Sequence, residues 1–308
     1  MTISLEDAAA RIRAGDLVAF PTETVYGLGA NALDRSAVEK IYTAKGRPPA
    51  SPLIVHVSSI EMGQSLVSEW PPEAEALARR YWPGPLTLVL PKRSTVPDIV
   101  TAGLPTVGVR MPDHPLALDL IREARVPIAA PSANKFTGLS PTTAAHVRES
   151  LGDAVPVLDG GPCRVGIEST VVSISAGRIT LLRPGRIALN AITETVGSTP
   201  GEIERAAAPG ANAAHEAPGM HERHYSPHTP LVLTREPDPR GIYLFHTHAA
   251  KAVRVMQMPT DPEAYAARLY SALHELDREG WPVISVEPPP DTLEWAAILD
   301  RLRRAAAR

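Results

Sequence analysis

Short apolar segments recur along this chain, and proline, glycine or polar residues interrupt each one before it becomes long. Runs of this length bounded by turn-forming residues favour β-strands. The strand-like runs are LVAFPT, LIVHV, LTLVL, VGVRM, VPIAAPS, STVVSIS and RITLLR. Apolar residues at helical spacing predict helices over 5–14, 34–44 and 141–150. Because helices and strands follow one another without a regular β–α–β order, the pattern predicts an α/β (α+β) fold with a largely mixed sheet.

Capping residues set the expected ends of these helices. Gly15 is the expected end of the first helix, and Asp34 is the expected N-cap of the second. Ser140 and Pro141 are expected to be the N-cap and first residue of the third.

The composition changes near residue 198, which indicates two domains. At 308 residues the chain is long enough for two. Residues 199–219 are rich in Ala, Pro and Gly and show little periodicity, as linkers do. Beyond them, LVLT, GIYLFH and PVISVE are strand-like and alternate with amphipathic helical patterns. We therefore expect one domain over 1–198, a linker over 199–229 and a small α/β domain over 230–308.

Composition and charge argue against several classes of protein. Hydrophobic residues make up 44% of the chain, which argues against wholesale disorder. The formal net charge is -3, whereas a general nucleic-acid binder needs many clustered Lys and Arg side chains. No apolar run approaches the roughly 18 residues of a membrane span, and the N-terminus does not resemble a signal peptide. With a single cysteine, Cys163, the sequence predicts a cytoplasmic protein without an intrachain disulfide.

Two cations lie in a proline-rich loop just after the second predicted helix. Lys45 and Arg47 flank a glycine, an arrangement that lets the backbone approach an anion while two charges neutralise it. Ordinary solvated loops often contain the same three residues. Spacing alone therefore leaves both interpretations open.

Polar side chains also follow or interrupt buried strands. Ser132 and Asn134 alternate after VPIAA, so both can face a phosphate or an adenine edge, although an ordinary turn fits the same pattern. Arg110 interrupts the apolar strand VGVRM, where an unpaired cation would be costly. It binds either a ligand carboxylate or an acidic residue of the chain, and Arg183 in LLRPG has the same two possibilities.

Other candidate sites carry less weight. His221, His224 and His228 are spaced like metal ligands, but prolines make their segment an irregular loop and no cysteine accompanies them, which argues against zinc. Cys163 has no base partner near it in the sequence and is expected to be inert. The sequence contains no Walker loop, no G-x-G-x-x-G after a strand and no G-x-S-x-G elbow.

The order of these motifs is more specific than any one of them. Along residues 5–198 the chain contains PTETVYGLG, KGRP, PLIVHV, WPGPLTLVL, VGVRMPDHP, APSAN, IESTVV and LLRPG. This order resembles the YrdC-like domain of threonylcarbamoyl-AMP synthases, and PGMHERHYSP with the α/β tail resembles the two-domain form of that family. The resemblance implies a twisted mixed-sheet catalytic domain and a small Rossmann-like domain. It also implies that ATP, L-threonine and bicarbonate are converted to threonylcarbamoyl-AMP and pyrophosphate, for threonylcarbamoyladenosine modification of tRNA.

The resemblance also implies roles for particular residues. Lys45 and Arg47 match the K-x-R pair that holds ATP phosphates, and they are the expected catalytic residues. Further ATP-binding positions are matched by Ser51, Thr106, Ala130, Ser132, Asn134, Ser140 and Arg183. Threonine-binding positions are matched by Thr24, His56, Arg110 and Ser169, with Arg110 on the amino-acid carboxylate. Tyr225 matches an ATP-binding linker residue that folds over the nucleotide, so 199–229 is expected to act as a lid.

Cofactor and partners follow from the same resemblance. Mg²⁺ is expected with the triphosphate, held mainly by phosphate oxygens and water. The product is expected to pass to threonylcarbamoyltransferase proteins that modify tRNA, with weak direct contact to RNA at most and no contact with membranes. Two alternatives stay open: an RNA-binding module without adenylation activity, and a hydrolase that uses His56 as its base.

Overall fold

A computed structural model describes residues 1–48, 50–175, 177–198, 203–205 and 223–307. Within these ranges the chain has the predicted mixed α/β fold, built on a nine-stranded sheet and a separate four-stranded sheet. The large sheet contains β1 Val18–Phe20, β2 Gly27–Asn31, β3 Ile54–His56, β4 Leu86–Pro91, β5 Thr106–Arg110, β6 Ile128–Ala129, β7 Thr170–Ser175, β8 Arg178–Arg183 and β9 Glu204–Arg205. The accompanying helices are α1 Leu5–Arg13, α2 Arg35–Lys45, α3 Ile60–Gln64, α4 Pro72–Tyr81, α5 Pro115–Ala124, α6 Ala144–Leu151 and α7 Leu189–Val196.

The large sheet is mixed, with the strand order β1-β2-β6-β3-β5-β4-β7-β8-β9. β3 pairs in parallel with β5 and β4 with β7, whereas β6 runs antiparallel to both β2 and β3. The predicted linker begins at residue 199, yet Glu204–Arg205 pair with β8 and extend this sheet. Most of the remaining predicted linker lies outside the described residues.

The small sheet belongs to the C-terminal part of the chain. It has the order β10-β13-β11-β12, and neighbouring strands are parallel. Its elements are β10 Leu231–Leu233, β11 Ile242–Phe245, β12 Arg254–Gln257, α8 Pro262–Asp277, β13 Ile284–Val286, a 3-10 helix Leu293–Trp295 and α9 Ala296–Ala306. A separate cluster of buried apolar side chains packs around this sheet, α8 and α9. None of the described helices has the length and apolar character needed to cross a membrane.

Local capping explains the position of α2, which ends at the first cation of the K-G-R motif. The Asp34 carboxylate accepts hydrogen bonds from the backbone N–H groups of Ser36 and Ala37, which confirms the predicted N-cap. The helix ends where Gly46 adopts a φ of 62°, a left-handed conformation that glycine reaches without strain. Lys45 is therefore fixed on the last turn, and its side chain is buried.

The start of α6 differs from the prediction. Thr143, rather than Ser140, is the N-cap, and its side chain accepts from the His146 N–H. Ser140 instead donates its hydroxyl proton to Glu168, which lies 28 residues along the chain. Because the Ser140 hydroxyl is already hydrogen-bonded to a distant carboxylate, the side chain of Thr143 caps the helix instead.

The two sheets are joined by a close contact between the N-terminal part, residues 1–198, and α8. Gly166 has a φ of 79°, and a Cβ atom there would lie 2.5 Å from the carbonyl oxygen of Ala266. Glycine is required because any larger side chain would meet backbone. At the same interface the imidazole rings of His146 and His274 stack with centroids 3.9 Å apart, and a His274 ring nitrogen lies 3.1 Å from the Ser140 carbonyl.

This histidine stack predicts a loss of stability in acid. Burial, with His274 as a second cause, lowers the pKa of His146 to about 3. Below the ordinary histidine pKa near 6.5, the unfolded chain takes up a proton that the folded chain does not. Stability is therefore present above about pH 6.5 and falls as the pH drops towards 3, by at most about 1.4 kcal/mol per pH unit for this group.

The measurement is urea unfolding at pH 7.5 and 5.0. His146→Gln should reduce the loss of unfolding free energy between the two pH values, whereas His248→Gln, at an exposed position, should not. An identical pH dependence in wild type and His146→Gln would contradict the prediction.

Candidate active site

A buried cavity of about 50 Å³ lies against one face of the large sheet. Ile54 and His56 are two residues apart in β3 and face the same side, and Arg110 in β5 is the register partner of His56. The walls are formed by Thr22, Thr24, Val25, Gly27, Arg47, Ile54, His56, Arg110, Ala130, Pro131, Ser132, Glu168, Ser169, Arg183, His224 and Tyr225. Since a water needs about 10–15 Å³, this space holds a few waters and must widen for a nucleotide.

Two buried cations reach this region from the end of α2. The Lys45 ammonium donates to the Ser132 carbonyl at 2.5 Å and also to the Asn134 carbonyl. Arg47 donates to the Pro52 carbonyl at 3.1 Å. Burial lowers the pKa of Lys45 well below its usual range, with Arg47 as the next cause, and burial lowers that of Arg47 to about 10. Within the described ranges no carboxylate forms a salt bridge with either, so an anionic ligand would supply the missing charge.

Arg110 forms a buried ion pair with a residue that the sequence interpretation did not single out. Its Nη2 lies 2.7 Å from Glu23 Oε1, and the two side chains are 4% and 1% exposed. Arg110 Nε also donates to the Gly84 carbonyl at 3.3 Å. Of the two possibilities left open for Arg110, the structure shows the intrachain pair. A guanidinium group has five N–H donors, so this pairing leaves others for a ligand.

His56 lies beside this pair as a neutral ring. Burial, and then the neighbouring Arg110 charge, lower the pKa of His56 to about 3. Its Nδ1 is buried without a hydrogen-bond partner among the described residues. A ring with this pKa is a weak base at neutral pH, which weakens the hydrolase alternative. It suits a neutral hydrogen-bonding contact instead.

The start of β7 contributes a hydroxyl and orients a further arginine. Arg183 donates to the Ser169 carbonyl from Nε at 3.1 Å and from Nη2 at 3.0 Å. The Ser169 hydroxyl lies 2.8 Å from that of Thr87. Burial lowers the pKa of Arg183. This hydroxyl therefore contacts a cation and another hydroxyl, and no base among the described residues is hydrogen-bonded to it to activate it as a nucleophile.

Glu168 is an acidic residue on the cavity wall, and the described side chains that hydrogen-bond to its carboxylate are all donors. Its carboxylate accepts from the Ser140 hydroxyl at 2.5 Å, from the Tyr270 hydroxyl at 3.0 Å and from Arg301 Nε at 2.9 Å. Burial alone would raise the pKa of Glu168, but the charges of Arg301 and Arg183 outweigh it and hold the pKa below its usual range. Glu168 is ionised and fully engaged.

Tyr225 closes the cavity from the segment before β10. The side chain is 1% exposed, and its backbone φ of 60° is unusual for an aromatic residue. The His224 ring packs against it with centroids 4.2 Å apart. The Ser226 N–H donates to the Thr137 carbonyl at 2.9 Å, which fixes this segment to the N-terminal part of the chain.

Most of the residues predicted for the site are brought together. Those on the cavity wall are Thr24, Arg47, His56, Arg110, Ala130, Ser132, Ser169, Arg183 and Tyr225. Lys45 and Asn134 lie directly behind Ser132, and the Ser51 carbonyl accepts from Arg47 at 3.5 Å. Ser140 is turned towards Glu168, and Thr106 lines a separate small cavity with Thr87 and Gly108.

Sequence reasoning missed Thr22, Glu23 and Glu168. Each lies inside a quoted motif, PTETVYGLG or IESTVV. The available signal was a carboxylate next to an apolar strand, where an unpaired charge would be costly. Of the three histidines, His221 lies outside the described residues, His224 is at the cavity and His228 pairs with Asp277 at the surface.

Possible metal ligands and the single thiol can be located among the described residues. Within the described ranges no group of three or more His, Cys, Asp or Glu side chains is placed to hold a metal ion. Glu23 and Glu168 are each paired with an arginine, so they do not fit a metal site. Burial raises the pKa of Cys163 to about 12, which agrees with its prediction as inert.

Comparison with known proteins identifies the family. A family model described as telomere recombination, which covers Sua5, YciO and YrdC proteins, matches residues 10–185. A second model, the threonylcarbamoyl-AMP synthase C-terminal domain, matches residues 187–307. The chain belongs to the threonylcarbamoyl-AMP synthase family. The predicted resemblance is confirmed over nearly the whole chain.

Individual members of the family show the same extent of similarity. The threonylcarbamoyl-AMP synthase of Pyrococcus abyssi is 43% identical over 97% of this chain and 93% of its own length. That of Bacillus subtilis is 42% identical over 98% of this chain and 92% of its own length. The crystal structure of P. abyssi Sua5 complexed with L-threonine superposes with a TM-score of 0.91 at 41% identity, covering 99% of this chain and 96% of the other.

Proposed function

We propose that this chain is an L-threonylcarbamoyladenylate synthase, a nucleotidyltransferase that joins ATP, L-threonine and bicarbonate. The observation that carries the proposal is a set of buried cations: Arg47, Arg110 and Arg183 on the wall of one cavity, and Lys45, which donates to the carbonyl of the wall residue Ser132. ATP, the threonine carboxylate and the carbamate are all anions, and bringing them together requires such charge. The similarity to curated synthases over more than nine tenths of their length supports the same reading.

The proposed chemistry uses a carboxylate that the substrate supplies. Bicarbonate takes up a proton and loses water to give carbon dioxide, and the threonine amine bonds to this carbon dioxide and loses a proton to become a carbamate. A carbamate oxygen then bonds to the α-phosphorus of ATP as the bond to pyrophosphate breaks. No protein nucleophile is required, so catalysis rests on positioning and on stabilisation of the negative charge that develops on the leaving pyrophosphate.

Residue roles in this proposal follow the family resemblance, and most of the residues concerned line the cavity. Lys45 and Arg47 hold the phosphates of ATP, with Ser132 and Asn134 beside them. Arg110 takes the threonine carboxylate through the donors that Glu23 does not use. The other proposed contacts are Ser51, Thr106, Ala130, Ser140, Arg183 and Tyr225 for ATP, and Thr24, His56 and Ser169 for threonine. Five of the proposed ATP contacts do not line the cavity and reach ATP only if the site rearranges: Lys45, Ser51, Thr106, Asn134 and Ser140.

The wider setting is part of the same proposal. Mg²⁺ enters with ATP as part of the substrate, because phosphate oxygens and water supply its preferred ligands, and because Glu168 on the cavity wall and the nearby Glu23 are each paired with an arginine. The product passes to threonylcarbamoyltransferase proteins that modify tRNA. We place the protein in the cytoplasm, because its single cysteine fits a reducing compartment and its product is used for tRNA modification.

Purified protein with ATP, Mg²⁺ and bicarbonate tests the reaction directly. Pyrophosphate release should require both bicarbonate and L-threonine, and other amino acids should replace threonine poorly. Release that is independent of threonine would contradict the proposal. Strongly salt-dependent tRNA binding without pyrophosphate release would favour the RNA-binding alternative.

A further inference from the structure

The C-terminal domain reaches the cavity through a buried arginine. Arg301 in α9 has no exposed side-chain surface, and its guanidinium carbon lies 5.3 Å from the centroid of the Tyr225 ring. Its Nε donates to Glu168 at 2.9 Å, and Nη1 donates to the Pro184 carbonyl at 2.9 Å. A buried guanidinium is tolerated only when it is paired and hydrogen-bonded. Two of these three partners, Tyr225 and Glu168, form walls of the cavity.

Glu168 is held from both domains. Ser140 belongs to the catalytic part, whereas Tyr270 in α8 and Arg301 in α9 belong to the C-terminal domain. Arg301 Nη2 also donates to the Glu168 backbone carbonyl at 3.3 Å. Removing the C-terminal donors would therefore free a carboxylate at the wall of a cavity that is otherwise built for anions.

Tyr225 keeps its position only through contacts with surrounding residues. Its left-handed backbone conformation is disfavoured for an aromatic residue, and such conformations persist only where surrounding contacts impose them. Its hydroxyl is buried without a hydrogen-bond partner among the described residues, so that end of the side chain does not anchor it. The face of the ring is instead covered by Arg301, a cation–π contact.

We propose that Arg301 is a positioning residue through which the C-terminal domain holds Tyr225 over the cavity and Glu168 in its wall. The active site is then incomplete without α9, although α9 supplies no reacting group. That the site takes ATP rests on the proposed function. The positioning of Tyr225 does not, and it can be measured without turnover.

Hydrogen–deuterium exchange on the full chain measures this positioning. In Arg301→Met, amide exchange at 223–226 should rise about tenfold or more, the effect of losing a cation–π contact and a charged hydrogen bond. Exchange in α8 should stay unchanged. Arg303→Met is the matched control, because Arg303 lies on the same helix with a side chain 61% exposed. Unchanged exchange at 223–226, or an equal rise throughout α8, would overturn the inference.

Steady-state kinetics give a second readout that a purely structural role would not produce. Arg301→Met should raise KM for ATP about tenfold while kcat changes less, and Arg301→Lys should restore part of the affinity. Adding Glu168→Gln to Arg301→Met should not multiply the effect, since the two residues act through each other. Multiplicative effects would count against the inference.

If wild type shows no threonine-dependent pyrophosphate release, the proposed function fails. A local rise in amide exchange at 223–226 in Arg301→Met would still support the role of Arg301.

Discussion

Replacing Lys45 with methionine should lower threonine-dependent pyrophosphate release about 10²–10³-fold, the usual effect of removing one group that stabilises developing charge. Lys45 is buried, no carboxylate of the described chain pairs with it, and it is fixed at the end of α2 by the carbonyls of Ser132 and Asn134. Its pKa is lowered by burial, and a bound triphosphate would favour the charged form again. The variant should therefore lose mainly its affinity for ATP.

The measurement combines pyrophosphate release with calorimetric titration of ATP and of threonine. Threonine affinity should change little. Lys40→Met is the matched control, since Lys40 lies on the same helix and pairs with Asp16 at the surface. If Lys45→Met retained a rate within about threefold of wild type, Lys45 would not serve the triphosphate.

Replacing Arg110 with glutamine should abolish most threonine binding, with KM for threonine rising about 10–100-fold for the loss of a charged hydrogen bond. The same change leaves Glu23 as a buried carboxylate without its counter-ion. Breaking a buried pair in this way costs about 3–5 kcal/mol of stability, so loss of activity in this variant alone would be ambiguous.

The double variant Glu23→Gln/Arg110→Gln separates the two effects. Removing both charges should recover most of the stability in urea unfolding but none of the threonine affinity. ATP affinity should remain close to wild type in both variants. Recovery of threonine affinity in the double variant would show that Arg110 serves only to neutralise Glu23.

Several features of the site could be predicted because they depend on neighbouring residues. Asp34 caps α2 and Gly46 ends it, so the position of Lys45 follows from a short stretch of sequence. The strands β7 and β8 follow from two adjacent apolar runs, and their antiparallel pairing in the structure places Ser169 and Arg183 together. The family resemblance then assigned these residues to one site, and most of them do line one cavity.

Other features were missed because local patterns do not specify them. β2 lies in GLGAN, whose glycines are poor strand formers, and it forms because β1 and β6 pair with it on both sides. The helices α4 and α5 were not singled out from the pattern, and both begin with proline at their first position. Ser140 fits an N-cap by sequence, but a carboxylate 28 residues away takes its hydroxyl.

The sequence by itself determined a mixed α/β chain of two parts, the order of the motifs and the position of the K-G-R cations after a capped helix. Local hydrogen bonding and the spacing of apolar residues are sufficient for these. Only the tertiary structure decided how the charges are paired. Glu23 pairs with Arg110, and Glu168 pairs with Arg301, which lies 133 residues further along the chain. An unpaired buried charge is costly, so each of these carboxylates lies where the fold places a cation beside it.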